Sequence, residues 1–294
     1  MIGTAAPSDP LFRLPLGAWV DSAVTLVTHA FGGLFDAIKL VLEGGYDGLA
    51  YVLSAPPAWT VVLVLAALAL VVTGWRLAVT ALVGFALVIG LDQWDNAMAT
   101  LALVLVASVI ALVLAIPLGI LAARSDRVST TLRPVLDFMQ TMPAFVYLIP
   151  TVVIFLTGVV PGIVATIVFA MAPGVRFTEL GIRQVDAEVV EAGHAFGASP
   201  GRILRQIQIP LALPTIMAGI NQVIMLALSM AVIAGMVGAD GLGSEVLSAL
   251  SRVDVALGFE AGLAVVILAI YLDRMTSALA ARAPVSRALK LAAA

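Results

Sequence analysis

The run Glu191-Ala192-Gly193-His194-Ala195-Phe196-Gly197, continued by Ala198-Ser199-Pro200 and closed by Ile207-Gln208-Ile209-Pro210, holds the residues best suited to chemistry in this chain. That chemistry is recognition, not bond-making. Glu191 offers a carboxylate that can pair with a basic group on another protein, and Gly197 permits a turn that a residue without Cβ takes at little cost. Small residues at 192, 193, 195 and 197 let another backbone come close. Asp186 is placed to cap a short helix that Gly197 ends, and Ser199 with Pro200 starts a second. Along the first helix Val189, Val190, Ala192, Ala195 and Phe196 make one face, while Glu188, Glu191 and His194 make another. A compact helical hairpin of this kind suits the groove of a soluble partner. An isolated glutamate would read as a solvated helix face; the spacing out to Pro210 is what favours contact. His194, a single histidine with no visible partner, reads as surface.

A second set of polar residues lies inside apolar runs. Gln140 and Thr141 stand near the start of one, and Asn221, Gln222 and Ser229 within another. Amides in hydrocarbon must face protein or water, so these helix sides look inward. They either line a path or tie one helix to another; the path is the reading taken for Gln140 and Asn221. Met139, Met142, Met225, Met230 and Met236 share these runs, and flexible thioethers suit a gate that repacks, although filling core gaps explains any one of them equally well. Gln140, Met142, Asn221, Met225 and Met230 are therefore the candidate path and gate residues.

The elements that must carry these residues follow from composition. The chain is 62% hydrophobic and 11% charged, a balance no soluble domain of 294 residues needs. Its apolar runs are long enough to span hydrocarbon, which takes about 20 residues each. The chain is an all-α integral membrane protein. The absence of cysteine excludes disulfides and thiolate chemistry, and His29 and His194 are too far apart in sequence to suggest a metal cluster. No G-x-x-x-x-G-K-[ST] run is present, so nucleotide chemistry belongs elsewhere. No catalytic residue and no cofactor or metal site is expected, and nothing points to nucleic acid. An intramembrane protease is disfavoured because no His or acidic pair falls within a span where it could serve a nucleophile. A passive osmolyte channel stays open as the contrasting class.

Residues 1–18 read as a loose tail with no cleavable leader, since they hold Asp9 and several prolines. From Trp19 to Glu43 the pattern is amphipathic: Asp21, Thr25, Thr28, Gly32, Asp36, Lys39 and Glu43 oppose a side of Val, Phe, Leu and Ile. This predicts a helix in the interface or along the outside of the bundle, with an eighth span as the alternative. Gly44-Gly45 and Pro56-Pro57 punctuate the chain between this helix and the first apolar span. Residues 1–57 thus form an N-terminal unit and 58–294 a transmembrane unit. About seven spans are expected near 58–74, 77–91, 97–123, 137–157, 161–175, 211–237 and 259–280. Pro117 is expected to kink the third.

Charge placement sets the orientation. Arg76, Arg124, Arg127, Arg133, Arg176, Arg183, Arg202, Arg205, Arg282, Arg287 and Lys290 fall on one side, with only Arg13, Lys39 and Arg252 on the other. The first side is cytoplasmic by the positive-inside rule, which puts the N-terminus outside, the C-terminus inside and the loop 176–210 in the cytosol. The outer segment 238–258, with Asp240, Gly241, Gly243 and Glu245, either docks an external partner or is a solvated loop; the loops at Asp92-Gln93-Trp94-Asp95 and 158–162 lie on the same side.

Glu191-Ala192-Gly193, three residues, Gly197, nine residues, then Ile207-x-Ile209-Pro210 resembles the EAA motif of ABC-importer permeases, with Gly193 where Ala is usual and Ile209 where Leu is usual. Together with Met139-Gln140-Thr141-Met142-Pro143-Ala144-Phe145-Val146-Tyr147-Leu148-Ile149-Pro150 and Gly219-Ile220-Asn221-Gln222 through Ser229-Met230, the chain is similar to the glycine betaine/proline permeases, closely over 94–282. The resemblance implies a type I importer bundle in a bacterial inner membrane. It implies coupling to a separate ATPase, which would hold ATP and Mg, through Glu191, Ala192, Gly193, Gly197 and Pro210. It further implies a second copy of the chain, two ATPase subunits, an extracytoplasmic binding protein docked on the outer loops, and glycine betaine, choline, carnitine, proline, trimethylamine N-oxide or a similar solute as cargo.

Overall fold

Within a bilayer each backbone N–H and C=O must be satisfied inside its own segment, so apolar runs of this length can only be helices. The computed structural model describes residues 14–282, and no strand occurs among them. The helices are α1 (Leu16–Ala30), α2 (Gly32–Ser54), α3 (Ala58–Val72), α4 (Trp75–Gly90), α5 (Trp94–Arg124), α6 (Asp126–Thr141), α7 (Leu148–Phe155), α8 (Val159–Arg183), α9 (Ala187–Ala195), α10 (Pro200–Ile203), α11 (Ile209–Ala234), α12 (Leu242–Arg252) and α13 (Val255–Arg282). Of these, α5, α8, α11 with its preceding turns, and α13 are each long and apolar enough to cross a membrane alone. The tail predicted over 1–18 falls mostly outside the described residues, as do Arg13, Arg287 and Lys290.

The centre is α8, held between α5 and α11. Hydrophobic burial cannot drive helix association in lipid, so close packing of small residues does it instead. A Cβ on Gly119 of α5 would lie 2.5 Å from Thr178 Cβ of α8, one on Gly174 of α8 2.9 Å from Ala115 Cβ of α5, and one on Gly219 of α11 2.5 Å from Phe177 Cβ of α8. Around this centre α3 and α4 form a hairpin against α13. Tyr271 donates from its hydroxyl to the Leu65 carbonyl at 3.0 Å, and its ring meets Phe85 edge-on at 5.2 Å between centroids.

Four expectations need correction. The amphipathic helix predicted over 19–43 is two helices bent by 80°, and α2 runs through Gly44-Gly45 to Ser54. Two glycines cost a helix about 2 kcal/mol, and the burial of Leu42 and Tyr46 against the bundle offsets that. The fourth span, predicted over 137–157, is broken. Its first part is the amphipathic α6, which fills the predicted loop 124–136; a 109° bend and a 3-10 turn at Ala144–Tyr147 then lead into α7. Met142 precedes Pro143 and takes the extended conformation that a following proline favours. The fifth span continues past 175 to Arg183, and the segment 238–258 contains the helix α12. The segments 158–162 and 238–258 and the start of α5 nonetheless gather at one end: Gly158 N–H bonds the Val237 carbonyl, and Leu242 N–H bonds Thr100 Oγ1 at 2.8 Å.

Why α8 stays helical past 175 is electrostatic. Glu179 is only 8% exposed. Its Oε1 accepts from Ser129 Oγ of α6 at 2.6 Å and lies 3.0 Å from Arg183 Nε. Arg183 in turn donates to Asp126 Oδ1 of α6 and to the Ala122 carbonyl of α5, both at 2.8 Å. Arg176 pairs with Asp137, also on α6. A mainly polar helix is thereby fastened to the bundle by a buried carboxylate.

At the end where 158–162 and 238–258 gather, α12 packs back onto the bundle. A Cβ on Gly243 would meet the Val232 carbonyl at 2.4 Å, and one on Gly235 would meet the Gly243 carbonyl carbon at 2.4 Å. The close approach that these glycines permit is to the chain's own α11.

Removing one partner of a buried charge pair costs about 3 kcal/mol, so Glu179→Ala is expected to lower the thermal midpoint of the detergent-solubilised protein clearly. Asp126→Ala, whose side chain is 90% exposed, is expected to cost under about 1 kcal/mol; equal shifts for the two would show that the buried carboxylate is not special. Gly243→Ala is expected to destabilise by about 2 kcal/mol through backbone overlap. Gly44→Ala, with nothing within 4 Å, is expected to stabilise by about 0.5 kcal/mol in the same assay.

Candidate functional site

The predicted hairpin forms, and local rules account for its shape. Asp186 Oδ1 accepts from Glu188 N–H at 2.9 Å, which caps α9. At the other end Gly197 sits at φ +77°, with its N–H on the His194 carbonyl at 2.9 Å and Ala198 N–H on the Gly193 carbonyl at 3.1 Å. This pair of bonds is the Schellman motif, which needs a left-handed residue at 197. Ser199 and Pro200 then start the second limb.

Gly193 faces that limb. A Cβ there would lie 2.9 Å from Ile207 Cδ1 and 3.3 Å from Ile203 Cγ1, so the glycine draws the two limbs together. Ile203 is buried, and Leu204 packs with Ile182, Ala212 and Ile216 at the junction of α8 and α11. A π turn over Leu204–Gln208 precedes Pro210, which has no N–H to give the ladder, and the helical path then continues to Val237. The hairpin is therefore continuous with α11 on one side and separated from α8 by a few residues on the other.

What the hairpin turns outward is an apolar strip beside charged side chains. No residue of α9 is buried. Glu191 and Ala192 are exposed, Val189 is 41% exposed, and Phe196 is 91% exposed at the tip. An aromatic ring exposed at the tip gives a partner's groove apolar surface to cover. The carboxylates of Glu188 and Glu191 border this face.

The candidate path residues separate into three environments. Met230 is fully buried in a cluster with Tyr147, Leu148 and Ala165, and Met142 packs against that cluster at the break between α6 and α7. Asn221 ties α11 to α13: its Nδ2 donates to Asp273 Oδ1 at 2.9 Å, and Thr276 Oγ1 donates to its Oδ1. The path is the reading taken above for Asn221; these bonds are the helix-to-helix tie that was its alternative. Gln140 is exposed at the end of α6, and Met225 is half-buried on α11. Beside Met225, Ala218, Gln222 and Ser229 form an exposed stripe along α11, with Met236 exposed in the turn that follows it.

Sequence reasoning passed over Glu179 and Ser129, and read Arg183 only as an orienting charge. The available signal was an acidic residue at the end of an apolar run, which requires a named partner. The partner lies fifty residues away on a helix predicted as a loop.

Comparison with known proteins accords with this geometry. Residues 115–283 match the family described as the binding-protein-dependent transport system inner membrane component. The glycine betaine transport system permease protein OpuAB of Bacillus subtilis is 48% identical over 268 residues, covering 91% of this chain and 95% of that protein. The glycine betaine/carnitine transport permease protein GbuB of Listeria monocytogenes is 49% identical over 269 residues, covering 90% and 95%. Among solved structures, an inward facing conformation of the MetNI methionine ABC transporter has a TM-score of 0.59 at 21% identity, over 64% of this chain and 94% of that one, a likeness of fold. With hairpin and bundle in place and the match running through both, the chain belongs to the binding-protein-dependent transport system inner membrane components, as a multi-pass helical permease.

Proposed function

We propose that the protein is the membrane-spanning subunit of an ATP-driven, binding-protein-dependent importer of glycine betaine or a related compatible solute, serving osmoprotection. Both relatives carry glycine betaine in their names, and one adds carnitine. The choice among these, choline, proline and trimethylamine N-oxide lies with the external binding protein. The chain itself is not an enzyme; a separate ATPase subunit holds ATP and Mg. Two copies of the chain work with two ATPase subunits, the N-terminus outside and the C-terminus in the cytoplasm.

The observation that carries this reading is the uncovered apolar face of α9, fixed by a cap at each end and set at the joint of α8 and α11. A groove on the ATPase takes Val189 and Phe196, and a basic residue there pairs with Glu191. When nucleotide closes the ATPase dimer, the hairpin moves as one body because its limbs are locked at Gly193. That displacement reaches α11 directly through the continuous helix. It reaches α6 through Arg183 and Glu179, and so the break at Met142-Pro143. The cluster of Met142, Tyr147 and Met230 then repacks between two discrete arrangements, as alternating access requires. Gln140, Met142, Met225 and Met230 are the gate and path residues of this mechanism. The stripe of Gln222 and Ser229, costly against lipid, faces the second copy and the water-filled path between the two.

Glu191→Lys reverses the pairing charge, and Gly197→Val places a β-branched residue at a left-handed position. Both are expected to abolish solute uptake by cells lacking other osmolyte importers and to lose the ATPase on co-purification, with membrane insertion intact. Normal uptake and co-purification from either variant would reject the docking role. The chain has no cysteine, so Ser229→Cys is expected to react with a small water-soluble thiol reagent in membranes, while Val113→Cys on a lipid-facing side stays unlabelled. Equal labelling of the two positions would remove the path from this face of α11.

A further inference from the structure

Three arginines converge where α5 ends and the second limb of the hairpin begins. Arg124, Arg202 and Arg205, with Ser199, Leu204 and Gln206, line one cavity of about 530 Å³. Each of the three is exposed, and none meets a carboxylate among the described residues. Arg176 and Arg183, on the same side of the molecule, are both paired with acids. Three unneutralised guanidiniums around a cavity repel one another unless an anion joins them, and each offers the planar fork that matches phosphate oxygens.

A second feature says which anion. Leu114, Pro117 and Leu121 are exposed along α5 at steps of three and four residues, and the next step along that face is Arg124. An apolar track that descends a membrane span and ends at a basic cavity fits a molecule with acyl chains and an anionic head. A free phosphate or nucleotide would have no use for the track, and neither would an acidic protein surface. Basic pockets between helices at the cytoplasmic boundary are a general mode of anionic lipid recognition.

We propose that Arg124, Arg202 and Arg205 bind the phosphodiester head of an anionic glycerophospholipid whose acyl chain lies along Leu121, Pro117 and Leu114. Because Arg124 belongs to α5 while Arg202 and Arg205 belong to the hairpin, a bound head braces the hairpin against the bundle. The binding step is independent of the transport reading and is measurable on the full chain alone.

The experiment places a reporter by Leu121→Trp in the full chain, in nanodiscs containing phosphatidylcholine and phosphatidylglycerol, one or the other brominated. Fluorescence of the unsubstituted protein gives the background from its native tryptophans. Brominated phosphatidylglycerol is expected to quench the reporter well beyond brominated phosphatidylcholine. Removing each arginine is expected to lower that preference about fivefold, so Arg124→Gln with Arg205→Gln abolishes it, while Arg124→Lys with Arg205→Lys retains most of it. Equal quenching by the two lipids in the Trp-bearing parent would overturn the proposal, and that result needs no arginine variant to fold. So would a preference unchanged in the Gln pair, including the case where that pair instead loses the ATPase on co-purification. Loss of the preference on adding inorganic phosphate would show that a soluble anion, not a lipid, is the ligand.

Discussion

A carboxylate withdrawn from water must be matched, and the match that Glu179 finds determines how the hairpin end of this bundle is put together. Its oxygen takes a hydroxyl from α6 and a guanidinium from its own helix, and that guanidinium reaches on to α6 and to the last turn of α5. Beyond these polar contacts α6 has little hold on the core, for only Ser129 and Leu136 among its residues are buried. The network therefore does for α6 what small-residue packing does for α5, α8 and α11. The exchange is different in kind. Glycine and alanine contacts are short-ranged and tolerate little sliding, whereas a charge network holds two helices through directed bonds and breaks or shifts as a unit.

This contrast divides the molecule into a stiff centre and a jointed edge. At the centre, glycines at 119, 174 and 219 bring backbones too close for any side chain, and the end that carries α12 is closed in the same way by Gly235 and Gly243. At the edge lie the discontinuities: the bend before α7, the π turn before Pro210 and the left-handed Gly197. Each discontinuity has a stated chemical cause in a proline or a glycine. They cluster around the hairpin and the Met142–Met230 cluster, the two regions in which a transport cycle would require rearrangement.

The apolar spans and the hairpin were legible in the sequence because both rest on local rules. Hydropathy places α3, α4, α5, α11 and α13 within a few residues, and Asp186, Gly197 and Ser199-Pro200 mark the ends of the hairpin limbs. Pairing between distant residues was not legible. The run 124–136 is too polar for a span, so it read as a loop; the complementary charges of Arg176, Glu179 and Arg183 on another helix explain why it is held as one. Likewise the glycines of 238–258 announce a close approach without saying to what. The structure gives α11 as the neighbour of Gly243 and α5 as that of Gly241. Asn221 shows the same limit: an amide in a span must be satisfied, but its bonds to Asp273 and Thr276 depend on packing that no local pattern encodes.

The hairpin's position follows from these constraints and not from its own stability. Nine residues of α9 are too few to hold a helix in water, and none of them is buried. It persists because its second limb inserts Leu204 into the junction of α8 and α11, and Gly193 lets the first limb lie on the buried Ile203 and on Ile207. The outward face is thus free of structural duty, and Phe196 can stay uncovered without loosening the hairpin. A helix whose order comes entirely from behind can offer its whole front to a partner, and it will pass any force applied there into the two helices that hold it.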